Sequence, residues 1–187
     1  AKAEAEGLNA YAELARLGEG IPAGSDGLIV LPYFSGERTP INDPDAKGVI
    51  FGLNLLHTRA HVYKACLEGV GYGINQHFEI FDERKMGTRK VMAVGGGTKN
   101  PKWLQIVSDI SGRAQHVATV GLGAAYGDAL LAALGAGFYR SPREIADIVR
   151  MKSSILPDPA RTAAYERLRA MYAQLYEVTK DIMHGIS

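Results

Sequence analysis

Apolar side chains recur at three- and four-residue intervals along much of the chain, and such stripes predict helices that pack on a core. Asn100 and Asp158 are suitable N-caps, and each is followed by proline at the first helical position. Gly112 is well placed to end the helix that starts at Asn100. Ser141 and Glu144 have the spacing of a capping box, which predicts one more short helix. The predicted helices cover about residues 4–17, 58–81, 100–112, 124–134, 141–150 and 158–183.

Short apolar runs between these helices predict strands. Residues 90–94 and 115–120 each form such a run, followed by glycines and then by a helix. This alternation implies parallel strands joined by helical crossovers, which is the α/β class. Residues 28–34 predict a strand at a sheet edge, because Pro32 cannot donate a ladder hydrogen bond. Residues 153–157 are expected to form a connector.

Glycines within the predicted helix over residues 58–81 are unusual, because each weakens an isolated helix by about 1 kcal/mol relative to alanine. Glycines tolerated at such positions indicate close packing against another backbone. The three that carry this expectation are Gly69, Gly71 and Gly73.

Composition narrows the class of protein. The chain has 187 residues, of which 47% are hydrophobic and 22% charged, as is typical of one globular domain. Its net charge of +1 provides no field for nucleic acid or anionic lipid, and no apolar run is long enough to span a membrane. A single cysteine, Cys66, excludes an intrachain disulfide and a cysteine metal cluster, and fits a reducing compartment.

The strongest chemical signal is the turn that follows the strand at residues 90–94. Gly95, Gly96 and Gly97 would let a ligand approach the backbone, and the free N–H groups of the helix after Asn100 would favour a phosphate. A ligand site is favoured over a turn that merely needs positive φ, because ligands bind at the carboxyl ends of parallel strands. The sequence contains neither a P-loop nor GxGxxG.

Other polar groups are weaker candidates. The turn at residues 121–123 is expected to serve close packing of the small-residue helix that follows it. The acids of the loop at residues 35–48 could hold a cation or form a catalytic pair, although a solvated loop whose acids cap turns is favoured. His57 and His61 have a zinc-like spacing but lack the metalloprotease glutamate, so metal binding is disfavoured. Cys66 is expected to be a buried, inert thiol.

Three motifs resemble a known family. Residues 48–53, then His61-Val62, then 65–68 are similar to the C-terminal signature of the FGGY carbohydrate kinases, and Cys66 is the one departure from that pattern. Residues 31–40 resemble a loop of the xylulokinase-like branch, and residues 94–105 resemble the adenosine motif of the family.

The resemblance implies an actin-like, ribonuclease-H-like fold of two domains with ATP in the cleft between them. Residues 1–187 would be the C-terminal domain, without its first strands and without the N-terminal sugar-binding domain. The motif match would place Gly95, Gly96 and Gly97 along the adenosine and α-phosphate region, with Asn100 beside the adenine. It assigns no catalytic residue and no metal ligand to this chain.

The implied activity is transfer of the γ-phosphate of ATP, with Mg²⁺, to a hydroxyl of a sugar or polyol, with xylulose favoured. The implied setting is cytoplasmic, with no nucleic-acid or membrane partner, and a homodimer is left open. The phosphate-binding Asp-Gly-Thr loop and the Gly-Asp segment of the catalytic base have no counterpart here, so the chain alone is expected to be inactive. The alternative is a non-catalytic nucleotide-binding or interaction module.

Overall fold

The computed structural model describes residues 10–120 and 123–186. Its helices are α1 (Ala10–Gly18), α2 (Arg59–Glu83), α3 (Pro101–Ser111), α4 (Ala124–Gly135), α5 (Pro142–Ile148) and α6 (Pro159–Gly185). Its strands are β1 (Ile29–Leu31), β2 (Val49–Phe51), β3 (Val91–Ala93), β4 (Gln115–Ala118) and β5 (Met151–Ile155). The start of the helix predicted over residues 4–17 lies outside the described residues, as do Gly121 and Leu122 of the second glycine turn.

Two sheets organise the chain. β1 and β2 form an antiparallel pair, and β3, β4 and β5 form a second sheet in that order. β3 and β4 run parallel, which confirms the predicted crossover, and Val91 of β3 is in register with Gln115 of β4. The connector predicted at residues 153–157 is wrong, because β5 pairs antiparallel with β4. Four of the five β5 side chains are exposed, and they show no alternation of buried and exposed positions. The strand is held by backbone hydrogen bonds to β4.

Local capping explains where the helices begin. Asn100 Oδ1 accepts from Trp103 N–H at 3.2 Å, and Asp158 Oδ1 accepts from the N–H groups two and three residues ahead, as predicted. The predicted capping box at Ser141 is wrong. The Ser141 side chain makes no capping bond, and Glu144 instead accepts from Arg140 N–H, one residue before the expected position.

The close packing against another backbone that the sequence predicts for three glycines of α2 is confirmed at Gly69, whereas Gly71 lies against a side chain and Gly73 makes only an ordinary contact. A Cβ built on Gly69 would overlap the carbonyl oxygen of Val30 in β1, so only glycine lets the helix lie directly on the strand. A Cβ built on Gly71 would lie 2.7 Å from the Ile110 side chain of α3. α2 is therefore the element against which both β1 and α3 are positioned.

The core lies where β1, α2, α3 and α6 meet. All three β1 side chains are buried, with α2 on them and the apolar stripe of α6 beside them. Tyrosine rings fill most of the space, and Tyr72 and Tyr172 have ring centroids 5.2 Å apart. The buried tyrosines are Tyr33, Tyr72, Tyr165, Tyr172 and Tyr176.

Candidate functional site

Gly95 of the first glycine turn and Gly123 of the second lie close together at one edge of the three-stranded sheet. Gly95 follows β3 and has φ +84°, and Gly123 precedes α4 and has φ +60°. A Cβ built on Gly123 would lie 4.0 Å from the Gly95 backbone nitrogen. Because β3 and β4 are parallel, both turns are at the carboxyl ends of their strands, which is where ligands bind in open α/β sheets.

The three consecutive glycines of the first turn are not equivalent. Among residues 10–120 and 123–186, no atom lies within 4 Å of a Cβ built on Gly95 or on Gly96. A Cβ built on Gly97 would overlap the Trp103 ring of α3. Gly97 therefore has a packing reason for being glycine, whereas the space beside Gly95 and Gly96 is open and can admit a ligand to the backbone.

The turn is fixed by its own hydrogen bonds. Gly95 C=O accepts from Thr98 N–H at 3.2 Å and from Thr98 Oγ1 at 2.7 Å. A 3-10 turn over Gly96–Lys99 then leads into Asn100, whose N–H donates to Gly97 C=O at 3.0 Å. These bonds hold the open glycines directly before the amino terminus of α3. A helix amino terminus carries a partial positive charge, which favours an anion.

Asn100 links the turn to a cleft of about 470 Å³, whose lining residues come mostly from α1, α2, α3 and α6. Its Oδ1 caps α3, and within residues 10–120 and 123–186 its Nδ2 has no hydrogen-bond partner. The volume is in the range of small-molecule pockets. Tyr63, Leu67 and Ile106 give the cleft apolar surface, and its charged and amide lining residues are Glu19, Lys64, Asn100, Lys102, Gln105, Asp109 and Arg161.

Charged groups on the cleft wall are held by partners within the fold. Asp109 is buried and accepts from Arg161 Nε at 2.5 Å, from Gln105 Nε2 at 2.8 Å and from Asp158 N–H at 2.8 Å. Lys64 Nζ donates to Ile21 C=O, and burial lowers the pKa of its ammonium group. These contacts engage both carboxylate oxygens of Asp109 and the ammonium group of Lys64, and they fix the shape of the cleft.

Glu68, the acid that ends the family-like motif at residues 65–68, is a structural anchor. It is 1% exposed and accepts from Gly24 N–H at 3.0 Å, Ser25 Oγ at 2.7 Å and Tyr165 Oη at 2.7 Å. Burial raises the pKa of its carboxyl group. The bonds tie the chain before β1, the middle of α2 and the start of α6 to one another, a role that the sequence reasoning missed.

The favoured interpretation of a solvated acidic loop is wrong for Asp43. Its side chain is buried and accepts from Tyr176 Oη and from His184 Nε2, each at 2.8 Å. The hydrogen bond from His184 lowers the pKa of Asp43 to about 2. Asp43 also accepts from Asp45 N–H at 3.0 Å, which is the turn-capping bond that the sequence predicts. The loop acid therefore fastens the end of α6.

The two histidines of zinc-like spacing have structural partners. His61 Nδ1 accepts from Thr58 N–H at 3.1 Å and completes a capping box at the start of α2, while its Nε2 lies 3.0 Å from Asp26 Oδ2. His57 Nδ1 accepts from Asn54 N–H at 3.0 Å. Across the part of the chain that the structure describes, no three His, Cys, Asp or Glu side chains are grouped so as to hold a metal ion.

The small-residue helix is not packed as predicted. Leu130 is the one buried residue of α4 within its described range, and nothing lies within 4 Å of a Cβ built on Gly127 or Gly135. Small side chains on a helix permit another surface to pack closely on it, but they do not show which surface that is. Cys66 is half-buried beside Val30 and Ala65, and burial raises its pKa, as expected of an inert thiol.

Comparison with known proteins identifies the family that shares these features. A family model described as the FGGY family of carbohydrate kinases, C-terminal domain, matches residues 1–136. Xylulose kinase of Bacillus subtilis (strain 168) is 34% identical over 165 residues, which are 88% of this chain and 33% of the relative. Xylulose kinase of Escherichia coli (strain K12) is 38% identical over 154 residues, 82% of this chain and 32% of the relative. The resemblance drawn from the motifs is confirmed.

The fold class is confirmed by a solved structure. The crystal structure of xylulose kinase from Rhodospirillum rubrum superimposes with a TM-score of 0.81 at 35% identity, covering 93% of this chain and 35% of that chain. The chain has the α/β, actin-like fold of these kinases and spans about a third of the length of the relatives it matches. None of the helices within residues 10–120 and 123–186 is long and apolar enough to cross a membrane.

Proposed function

The chain belongs to the FGGY family of carbohydrate kinases, and from this premise we propose that it is the nucleotide-binding C-terminal domain of a cytoplasmic, ATP-dependent sugar kinase. The domain would span residues 1–187. The whole enzyme would transfer the γ-phosphate of ATP, with Mg²⁺, to a hydroxyl of xylulose or of a related sugar or polyol. The named relatives support xylulose, since both are xylulose kinases.

The open space beside Gly95 and Gly96 is the observation that carries this proposal. The space lies at the carboxyl end of a parallel strand and directly before the amino terminus of α3. Gly95 and Gly96 would let the adenosine and α-phosphate region of ATP approach the backbone, with Gly97 maintaining the turn against Trp103. Asn100 would stand beside the adenine, where its unpartnered Nδ2 can donate a hydrogen bond to a ring nitrogen.

ATP would supply the phosphoryl group, and Mg²⁺ would neutralise much of the negative charge on the phosphates during transfer. We assign no catalytic residue and no Mg²⁺ ligand to the described part of the chain, since its buried acids are held by hydrogen bonds. The domain would therefore bind and orient the nucleotide, and the chain alone would be inactive. The alternative of a non-catalytic nucleotide-binding module predicts the same binding without transfer in any context.

A pair of assays tests the proposal. The chain alone, given ATP, Mg²⁺ and xylulose, is expected to form no ADP above background. The same chain within the whole kinase is expected to form ADP only when xylulose or a related sugar is present. Sugar-dependent ADP formation by the chain alone would contradict the assignment, and its absence from the whole protein would favour the non-catalytic module. Light scattering of the whole protein tests whether it is the homodimer that the sequence analysis leaves open.

A further inference from the structure

A second polar pocket lies at the opposite end of the three-stranded sheet from the glycine turns. It has a volume of about 160 Å³ and is formed where the chain enters β3 and β4. Four basic side chains line it, and no carboxylate does; they are Arg89, Lys90, Arg113 and His116. At about 3.3 Å per strand residue, the pocket and the glycine turns are about 15 Å apart.

The basic groups of this pocket differ in how far they are already neutralised. Arg113 Nη2 donates a hydrogen bond to Asp82 Oδ2 at 2.5 Å, and the guanidinium lies 5.1 Å from the centre of the Phe78 ring. Its Nε is buried without a hydrogen-bond partner. Within the described residues, Arg89 and Lys90 have no ion-pair partner. Two positive charges without ion-pair partners among the described residues therefore stand beside a guanidinium that is held by Asp82 and Phe78.

His116 and Thr88 add further hydrogen-bonding groups to the pocket. His116 Nδ1 lies 2.8 Å from Ser154 Oγ of β5, which fixes the ring and leaves Nε2 for another partner. Guanidinium, ammonium, imidazole and hydroxyl groups are the side-chain donors that bind phosphate oxygens. A pocket of this volume accommodates one phosphate group and is too small for a nucleotide.

We propose that this pocket binds a phosphate group, either as inorganic phosphate or as the phosphate of a small monoester. It is separate from the nucleotide site proposed at Gly95 and Gly96, because it lies at the amino ends of the same strands. The site does not depend on the proposed kinase activity. Its attraction would be electrostatic, so binding weakens as ionic strength rises.

The test is a titration of the chain with inorganic phosphate and with ribose 5-phosphate at low ionic strength. We expect a Kd on the order of 1 mM, and at least about tenfold weaker binding in Arg89→Ala/Lys90→Ala, a change of about 1.4 kcal/mol. The matched control is Arg150→Ala/Lys152→Ala, which removes the same charge from exposed positions outside the pocket. It should change the Kd less than about twofold.

Two further arms separate the possible outcomes. Tighter binding of ribose 5-phosphate than of inorganic phosphate, with free ribose not binding, would assign the pocket to a phosphate monoester. Equal binding of both phosphates would assign it to the phosphate group alone. Equal weakening by the control pair would overturn the proposal, because the effect would then be one of overall charge. Loss of phosphate binding in Gly96→Val, with the Arg89/Lys90 variant unaffected, would likewise overturn it.

Discussion

The chain divides into a well-buried frame and a more exposed part that carries the proposed nucleotide site, called the ligand-binding part below. The frame consists of β1, α2 and α6, where every β1 side chain is buried and the carboxylate of Glu68 accepts three hydrogen bonds. The ligand-binding part consists of the second sheet with α4 and α5, where no β3 side chain is fully buried and four β5 side chains are exposed. α3 joins the two, since it packs on α2 and follows the glycine turn.

This difference shows where stability and function are expected to separate. Burial of apolar surface is the main source of folding free energy, so the frame should determine whether the chain folds. The proposed nucleotide site lies on the part with less burial, and α3 connects that part to the frame by packing on both α2 and α6. Changes in the frame should therefore alter unfolding, whereas a change at Gly96, whose φ is not positive, should alter binding alone.

The sharpest test of the comparison is a pair of identical substitutions. Leu175→Ala in α6 removes a side chain that is 6% exposed and should cost about 3 kcal/mol of unfolding free energy. Leu131→Ala in α4 removes one that is 65% exposed and should change it by less than about 0.5 kcal/mol. Urea unfolding of the 187-residue chain measures both. Similar losses in the two variants would mean that stability is not concentrated in the frame.

Glu68→Ala should lower the free energy of unfolding nearly as much as Leu175→Ala does. It leaves the Gly24 N–H and the Ser25 and Tyr165 hydroxyls without their acceptor, and buried donors without partners cost about 1–3 kcal/mol each, so a loss of about 3 kcal/mol is expected. Glu68→Gln is the control, because an amide oxygen at the Oε1 position keeps the bonds from Gly24 N–H and Tyr165 Oη, and the Ser25 hydroxyl can turn to accept from the NH2 group. It should retain most of the stability.

The same residue predicts a pH effect. Because burial raises the pKa of Glu68 in the folded state, its contribution to stability is full below the pKa of the unfolded chain and declines as pH rises through the folded value. Glu68→Gln should remove this decline. A stability profile whose slope in that pH range is the same in both proteins would contradict the cause assigned here.

Gly69→Ala should be the next most damaging change. Its new methyl group would overlap the Val30 carbonyl, and relieving such overpacking costs about 2 kcal/mol. Gly73→Ala is the matched control in the same helix. Its Cβ would lie 3.6 Å from Tyr172 Oη, an ordinary contact, so it should gain up to about 1 kcal/mol of helix stability. Equal effects of the two alanines would show that α2 does not approach β1 so closely.

The contribution of Asp43 to folding stability is expected to be smaller and to change only at acidic pH. Because the hydrogen bond from His184 lowers its folded pKa to about 2, its contribution to stability is present above the unfolded value near 4 and is lost as pH falls toward 2. Asp43→Asn should make stability less dependent on pH in this window. Unfolding followed by circular dichroism between pH 2 and 5 would measure the slope. An unchanged slope would exclude Asp43 as its source.

Local signals were readable from the sequence, whereas distant partners were not. The caps at Asn100 and Asp158 were predicted because each bonds within three residues. β5 was missed, since its pairing with β4 comes from residues far along the chain and its exposed side chains carry no pattern. Asp43 was misjudged because its partners Tyr176 and His184 are 133 and 141 residues away.

The candidate site shows the same division. Three consecutive glycines after a strand predicted a turn with open backbone, and the structure provides that space at two of them. The sequence could not separate Gly97 from Gly95 and Gly96, because the difference depends on where the Trp103 ring lies. Nor could it show that the second glycine turn lies beside the first, since that follows from the parallel pairing of β3 with β4.

The most direct test of the nucleotide site is the steady-state kinetics of Gly96→Val in the whole kinase. The new side chain has open space around its Cβ and no positive φ to oppose it, so the fold should be unchanged. Gly20→Val is the control, since Gly20 shares both properties and lies outside the glycine turn at residues 95–97. We expect Gly96→Val to raise the KM for ATP at least about tenfold, about 1.4 kcal/mol, with the KM for the sugar little changed. An unchanged KM for ATP in a folded Gly96→Val enzyme would contradict the assignment of the site.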